Sequence, residues 1–180
     1  IGAMVVRSFG EKHGWLFRED ALFQAEIAQG RVQEVELRLL LPTTYMNRSG
    51  RAVRKVIDAF SIPCSRCCVV VDDVYLSFGE MRLRCGGSSG GHNGLKSLEE
   101  SLGSSSYPRL RMGVGAKKEG ATLAEHVLGE FSLQEQERLR EFIDRGVDVL
   151  EKSMTTNLPH LMNVVNFCNK RASVEPGEEK

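Results

Sequence analysis

The sequence predicts a layered α/β domain with a mixed sheet, because segments with strand-like alternation are interleaved with segments whose apolar residues recur at helical spacing. The 180 residues suit one compact core rather than two. No apolar run approaches the roughly 20 residues that a membrane-spanning helix needs. Hydrophobic residues at 41% and charged residues at 27% are the balance of a globular chain rather than a disordered or membrane one.

Taken in order, Ile1 to Val6 already reads as the body of a helix whose apolar side includes Met4, Val5 and Phe9, so the chain is expected to begin in mid-domain. Ala21 to Gln29 alternates Leu22, Phe23, Ala25 and Ile27 as a strand would. Val35 to Leu41 is a second strand, ended by Pro42. Val53, Val56, Ile57 and Phe60 recur at helical spacing between Gly50 and Phe60, and Cys67 to Val71 is a short buried run leading into Asp72 and Asp73. Met81 and Leu83 alternate with Arg82 and Arg84, predicting a strand with one apolar and one basic face.

The loop Gly86-Gly87-Ser88-Ser89-Gly90-Gly91 leads into a short helix marked by Leu95, Leu98 and Leu102, followed by a strand through Leu110, Met112 and Val114. Ala121 to Leu128 is weakly helical. Ser132 with Glu135 forms a capping box for a long amphipathic helix with Leu139, Phe142, Ile143, Gly146, Val147 and Leu150 on its inner face. The Glu-rich tail over 172–180 is expected to be disordered, leaving one domain over 1–171.

Lys plus Arg balance Asp plus Glu at 24 each, so a polyanion would have to meet a local basic patch. Five cysteines, three of them at Cys64, Cys67 and Cys68, form no spaced disulfide framework, which points to a reducing cytoplasm. Cys64-x-x-Cys67-Cys68 is half a zinc site without a second ligand pair, so no metal is expected, and Cys67 and Cys68 read as small core residues. There is no Gly-x-Ser-x-Gly elbow, no P-loop lysine and no dinucleotide fingerprint.

Three segments carry polar chemistry. Asp72 and Asp73 stand where a buried strand emerges, a place where an aspartate can orient a histidine or simply begin a solvated turn. Gly90-Gly91-His92-Asn93-Gly94-Leu95-Lys96 is a glycine turn entering a helix; its amides favour an anion, Asn93 could equally cap the helix, and His92 could bond only the backbone. Pro42-Thr43-Thr44-Tyr45-Met46-Asn47-Arg48-Ser49-Gly50 is polar and irregular; Asn47 could hold a substrate backbone, and Ser49 could be an ordinary cap. Arg82, Arg84, Lys96, Arg109 and Arg111 cluster in this reading near the glycine loop, either tracking phosphates or forming a solvated face.

Together these segments, with Tyr107-Pro108-Arg109-Leu110-Arg111-Met112-Gly113-Val114-Gly115 and Val127-Leu128-Gly129-Glu130-Phe131, resemble bacterial peptidyl-tRNA hydrolase in order and spacing over nearly the whole chain. The resemblance implies a single three-layer α/β/α domain around a mixed, mostly parallel sheet. It also implies hydrolysis of the ester between peptide and tRNA, in a cytoplasmic monomer that recycles tRNA during translation without cofactor or metal. By the same resemblance Asp72 orients the catalytic histidine and Asn93 helps to position the attacking water. Asn47 binds the peptide or the tRNA end, with Met46 and His92 as pocket residues. Arg82, Arg84 and Arg111 form the cluster that meets tRNA phosphate.

Two departures accompany the resemblance. The family opens with a strand, a Gly-Asn-Pro-Gly turn and a Thr-Arg-His-Asn-x-Gly segment whose histidine is the base. Ile1-Gly2 aligns with the last two positions of that segment, so the expected histidine falls upstream of residue 1 and the chain as given is expected to be impaired. His13, His126 and His160 match no motif. Asp72-Asp73-Val74-Tyr75-Leu76-Ser77 lacks the further acid and the proline that the family carries there. The alternative is a non-catalytic RNA-binding relative of the same fold, as in plant organellar splicing factors.

Overall fold

The computed structural model describes residues 1–116 and 133–172. The weakly helical stretch Ala121–Leu128, the Val127–Phe131 motif, the Ser132 half of the capping box and the tail from 173 onward lie outside them.

Helix α1 (Gly2–Lys12) buries Val5 and Phe9. It is followed by an antiparallel sheet of β1 (Arg18–Asp20), β2 (Ala25–Val32) and β3 (Val35–Pro42). The strand expected from Ala21 therefore begins only at Ala25. Asp20 Oδ1 accepts the Leu22 and Phe23 amides at 3.0 and 3.3 Å, and Gln24 has φ +54°, so the local side chain closes a turn where the alternation suggested a strand.

Helix α2 (Ser49–Ala59) leads to β4 (Val69–Asp73), β5 (Met81–Arg84), helix α3 (Asn93–Leu102) and β6 (Arg109–Gly113), then α4 (Leu133–Thr155) and α5 (Leu158–Ala172). The second sheet has the order β4-β6-β5, with β4 parallel and β5 antiparallel to β6. The α/β class and mixed sheet are as expected. A mostly parallel sheet is not seen among the described residues: β4–β6 is the parallel pair there, and the other three pairings are antiparallel.

Two cores lie on the two faces of this sheet. On one, Val5, Phe9, Met81, Leu83, Leu110 and Met112 pack with Leu139, Phe142, Ile143 and Val147 of α4 and Leu161 and Val165 of α5. On the other, Val71 packs with Val53 and Ile57 of α2 and with Leu95, Leu98 and Leu102 of α3. Alternation along β4 and β6 sends successive side chains to opposite layers, giving the layered arrangement that the helical spacings predicted.

Helix α5 was not anticipated, although Asn157 at its start and Leu158, Leu161 and Val165 along it are a legible amphipathic signal. Its Asn166 amide bonds both backbone groups of Leu83, at 3.0 and 3.1 Å, and so occupies part of the free edge of β5. No helix among the described residues is long and apolar enough to cross a membrane.

Candidate active site

Asp72 and Asp73 are the last two residues of β4, and the pleat separates their roles. Asp72 Oδ1 accepts the Gly2 amide at 2.6 Å and lies 3.0 Å from the Ile1 nitrogen, so this carboxylate sits on the amino-terminal, electropositive end of α1. Asp73 is buried and structural. Its Oδ1 accepts the Tyr75 amide at 2.9 Å, fixing the turn after β4, and its Oδ2 pairs with Arg111 Nη1 at 3.1 Å.

Arg111 also donates through Nη2 to the carbonyl oxygens of Ser88 and Ser89, at 3.2 and 3.1 Å. Arg109, grouped in the sequence with cations that either track phosphate or form a solvated face, does neither and is 1% exposed. It donates to the Ser88 and Ser105 carbonyls at 3.1 and 2.8 Å, lies 3.6 Å from Glu99 Oε1 and stacks 4.4 Å from the Tyr107 ring. Two arginines on one face of β6 thus pin the loop that precedes α3. Within that loop Gly90 and Gly91 have φ +58° and +84°, a conformation that residues with a Cβ rarely adopt.

His92, not Asn93, caps α3: its Nδ1 accepts the Gly94 and Leu95 amides at 3.1 and 3.2 Å. Nδ1 is therefore the acceptor of the neutral ring, which assigns the proton to Nε2. Burial pushes the His92 imidazole below its ordinary pKa; Asp72 pulls it back up and Arg111 lowers it further. Because His92 serves as the cap, Asn93 is left as the first residue of α3 with an exposed side chain.

The Met46–Arg48 segment is a single 3-10 turn running directly into α2. Ser49 does not cap that helix; its Oγ donates back to the Met46 carbonyl at 2.9 Å and fixes the turn. Asn47 is exposed at its centre. The turn reaches α3 through two close approaches. A Cβ on Gly94 would lie 2.6 Å from Met46 Sδ, and one on Gly50 would overlap the Ser97 carbonyl oxygen, while the Gly50 amide donates to Ser97 Oγ at 3.1 Å.

The segments that carry the predicted residues therefore meet, with Met46 against the start of α3, Val71 of β4 packed on α3, and Arg111 tying Asp73 to the loop before His92. Arg82 and Arg84 project from the exposed face of β5, in register with Arg111 and Arg109. The cleft lined by Val32, Gln33, Glu151 and Met154 contains none of these residues. No group of three metal-ligating side chains occurs among the described residues. Both Cys67 and Cys68, expected as core residues of the strand, precede β4: Cys67 is half-buried against the α2–α3 core, where burial, with Cys64 adding a smaller effect, pushes its thiol up to about 11, whereas Cys68 is exposed.

A family model described as peptidyl-tRNA hydrolase matches residues 1–175. The chain belongs to the peptidyl-tRNA hydrolase family. A peptidyl-tRNA hydrolase of Parasynechococcus marenigrum is 38% identical, over 97% of this chain and 88% of its own. One from Synechococcus sp. strain CC9605 is 42% identical, over 84% of this chain and 77% of its own. Among solved structures, a peptidyl-tRNA hydrolase in complex with N-propanol aligns with a TM-score of 0.85 at 28% identity, over 98% of this chain and 86% of its own. The Acinetobacter baumannii peptidyl-tRNA hydrolase aligns at 0.83 with 30% identity, over 90% and 82% of the two chains. A peptidyl-tRNA hydrolase is thus similar to this chain in sequence and in fold along most of its length.

Proposed function

We propose that this protein hydrolyses the ester between peptide and tRNA, and that Asp72, Asn93, Asn47, Met46 and His92 form the substrate site. The observation that carries the reading is the convergence of three segments far apart in sequence: the turn at Met46–Asn47, the end of β4 and the start of α3. Water attacking an ester needs a base, a group that holds the base's tautomer, and donors for the oxyanion. Asp72 supplies the orienting carboxylate, and the exposed amides of Asn93 and Asn47 supply donors for water and substrate. His92 is a poor candidate for the base, since its Nδ1 is spent on the α3 amides and its Nε2 carries the proton. We infer that the base is a group held by the Asp72 carboxylate.

Arg82 and Arg84 offer exposed charge to tRNA phosphates, and Arg111 joins them from the neighbouring strand while holding Asp73. We place the protein in the cytoplasm as a monomer that recycles tRNA during translation. Relatives named as hydrolases favour this over a non-catalytic RNA-binding role.

Assaying release of peptide from peptidyl-tRNA tests the proposal. The protein should turn over, while its Asn93→Ala variant should still bind tRNA and hydrolyse it about 10²- to 10³-fold more slowly, the usual contribution of one positioned donor. Equal rates would overturn the assignment of Asn93. Absence of turnover in both would overturn the enzyme reading.

A further inference from the structure

Tyr75 is the most exposed large hydrophobic residue among those described, at 82%. It is also firmly mounted. Its amide donates to Asp73 Oδ1 at 2.9 Å, Asp73 is held in turn by Arg111, and the next residue, Leu76, is 2% exposed with its amide on the Asp73 carbonyl at 3.4 Å. A mobile surface loop would not spend a buried ion pair and a buried leucine on either side of one solvated ring. Tyr45 is nearly as exposed, but it belongs to the turn already assigned to substrate.

The sheet register fixes where this ring stands. Asp72 of β4 is level with Met112 of β6, which is level with Met81 of β5. The turn between β4 and β5 therefore arches over the sheet edge that carries Asp72. Arg82 and Arg84 run away from that edge along β5, separated from β4 by one intervening strand, or about 10 Å. A nucleic-acid strand held by these cations and ending at an ester beside Asp72 crosses the turn that carries Tyr75. Unpaired bases stack on exposed aromatic rings without regard to sequence, whereas paired bases have no free face to offer.

We propose that Tyr75 is a stacking platform for an unpaired base at the 3′ end of the tRNA, a binding residue that guides the ester toward Asp72. The proposal rests on the hydrolase reading above. A base is favoured over a side chain of the peptide because Tyr75 lies on the segment connecting the ester site to the cationic strand.

The test uses two RNA hairpins, one with a short single-stranded 3′ end and one cut blunt, titrated against the full chain and its Tyr75→Ala and Tyr75→Phe variants. The exposed ring makes no core contact, so both variants are expected to fold. The full chain should prefer the single-stranded end, Tyr75→Ala should weaken that binding by roughly 5- to 150-fold, the loss associated with one stacked base, and Tyr75→Phe should retain it. Binding to the blunt hairpin should not change. If the full chain prefers the single-stranded end and Tyr75→Ala keeps that preference, the role of Tyr75 is overturned and the hydrolase reading stands. If the full chain shows no preference, the reading of this edge as a site for the tRNA end fails and the Tyr75 role falls with it. If Tyr75→Ala instead weakens binding of an N-acetylated peptide and leaves the hairpins unaffected, the ring contacts peptide and the proposal is overturned.

Discussion

Strand β6 presents two faces under opposite demands. Leu110 and Met112 on one face are fully buried among α1, α4 and β5, where each side chain excludes water and is replaceable in principle by another of like shape. Arg109 on the other face is a buried charge and Arg111 a largely buried one, and each is held by particular carbonyls and a carboxylate. The apolar face holds the sheet to its helices, and the charged face holds a glycine loop in the one shape that presents His92 and Asn93. Stability and site geometry are therefore written on alternate residues of a single strand, and substitutions can separate them.

The largest effect is expected at the site rather than on either face. Asp72→Asn keeps the size of the side chain and removes the charge proposed to orient and stabilise a protonated base, so kcat should fall by about 10²- to 10⁴-fold, with thermal unfolding little changed. A loss of less than tenfold would remove Asp72 from the catalytic reading. On the apolar face the pattern should reverse. Leu110→Ala deletes a side chain with no exposed surface and should cost about 2–5 kcal/mol in urea unfolding, while kcat of the remaining folded protein stays near the parent value.

This division explains which features were legible in the sequence. Apolar spacing reports burial, so α1, α2, α3, the inner face of α4, and strands β3 to β6 were readable from periodicity alone. The motifs at Asn47, Asp72 and Asn93 were legible through resemblance, and the structure brings their segments together. Specific polar bonds leave no periodic trace. Arg109 looked like one more surface cation beside Arg111, and only its contacts with Ser88, Ser105 and Glu99 identify it as a buried strut. For the same reason Asn93, the commoner capping type, was a candidate for the cap, whereas His92 one residue earlier takes both amides. The turn after Asp20 defeated the strand reading because one carboxylate oxygen outweighed four residues of alternation.

A smaller effect should follow from cutting one strut. Arg109→Met retains most of the stacked length over Tyr107 but leaves the Ser105 carbonyl without its donor, the Ser88 carbonyl with Arg111 alone and Glu99 without its cation, for a cost of about 2–3 kcal/mol. Unlike Leu110→Ala, it should also raise KM, because the loop that presents Asn93 loses one of its two anchors. If KM stays at the parent value while stability falls, the two faces of β6 do not differ in kind and the separation drawn here is wrong.

The smallest effect concerns pH. Burial holds the His92 pKa below its ordinary value, so its neutral form is favoured by folding and the associated stabilisation is fully present above about pH 6.5, the unfolded value. It is lost as pH falls through the lowered folded value, because a protonated Nδ1 can no longer accept the Gly94 and Leu95 amides. The surrounding carboxylates of Asp72 and Asp73 soften this loss by favouring the cation, and Arg111 opposes them. Replacing the ring with an asparagine, His92→Asn, keeps a capping oxygen that does not titrate in this range. Relative to the parent, the variant should therefore gain about 1 kcal/mol of unfolding free energy between neutral pH and pH 5, read as a difference between two pH-dependent denaturation series. Parallel series would mean that His92 does not titrate through its cap, and that the glycine loop is held by the two arginines alone.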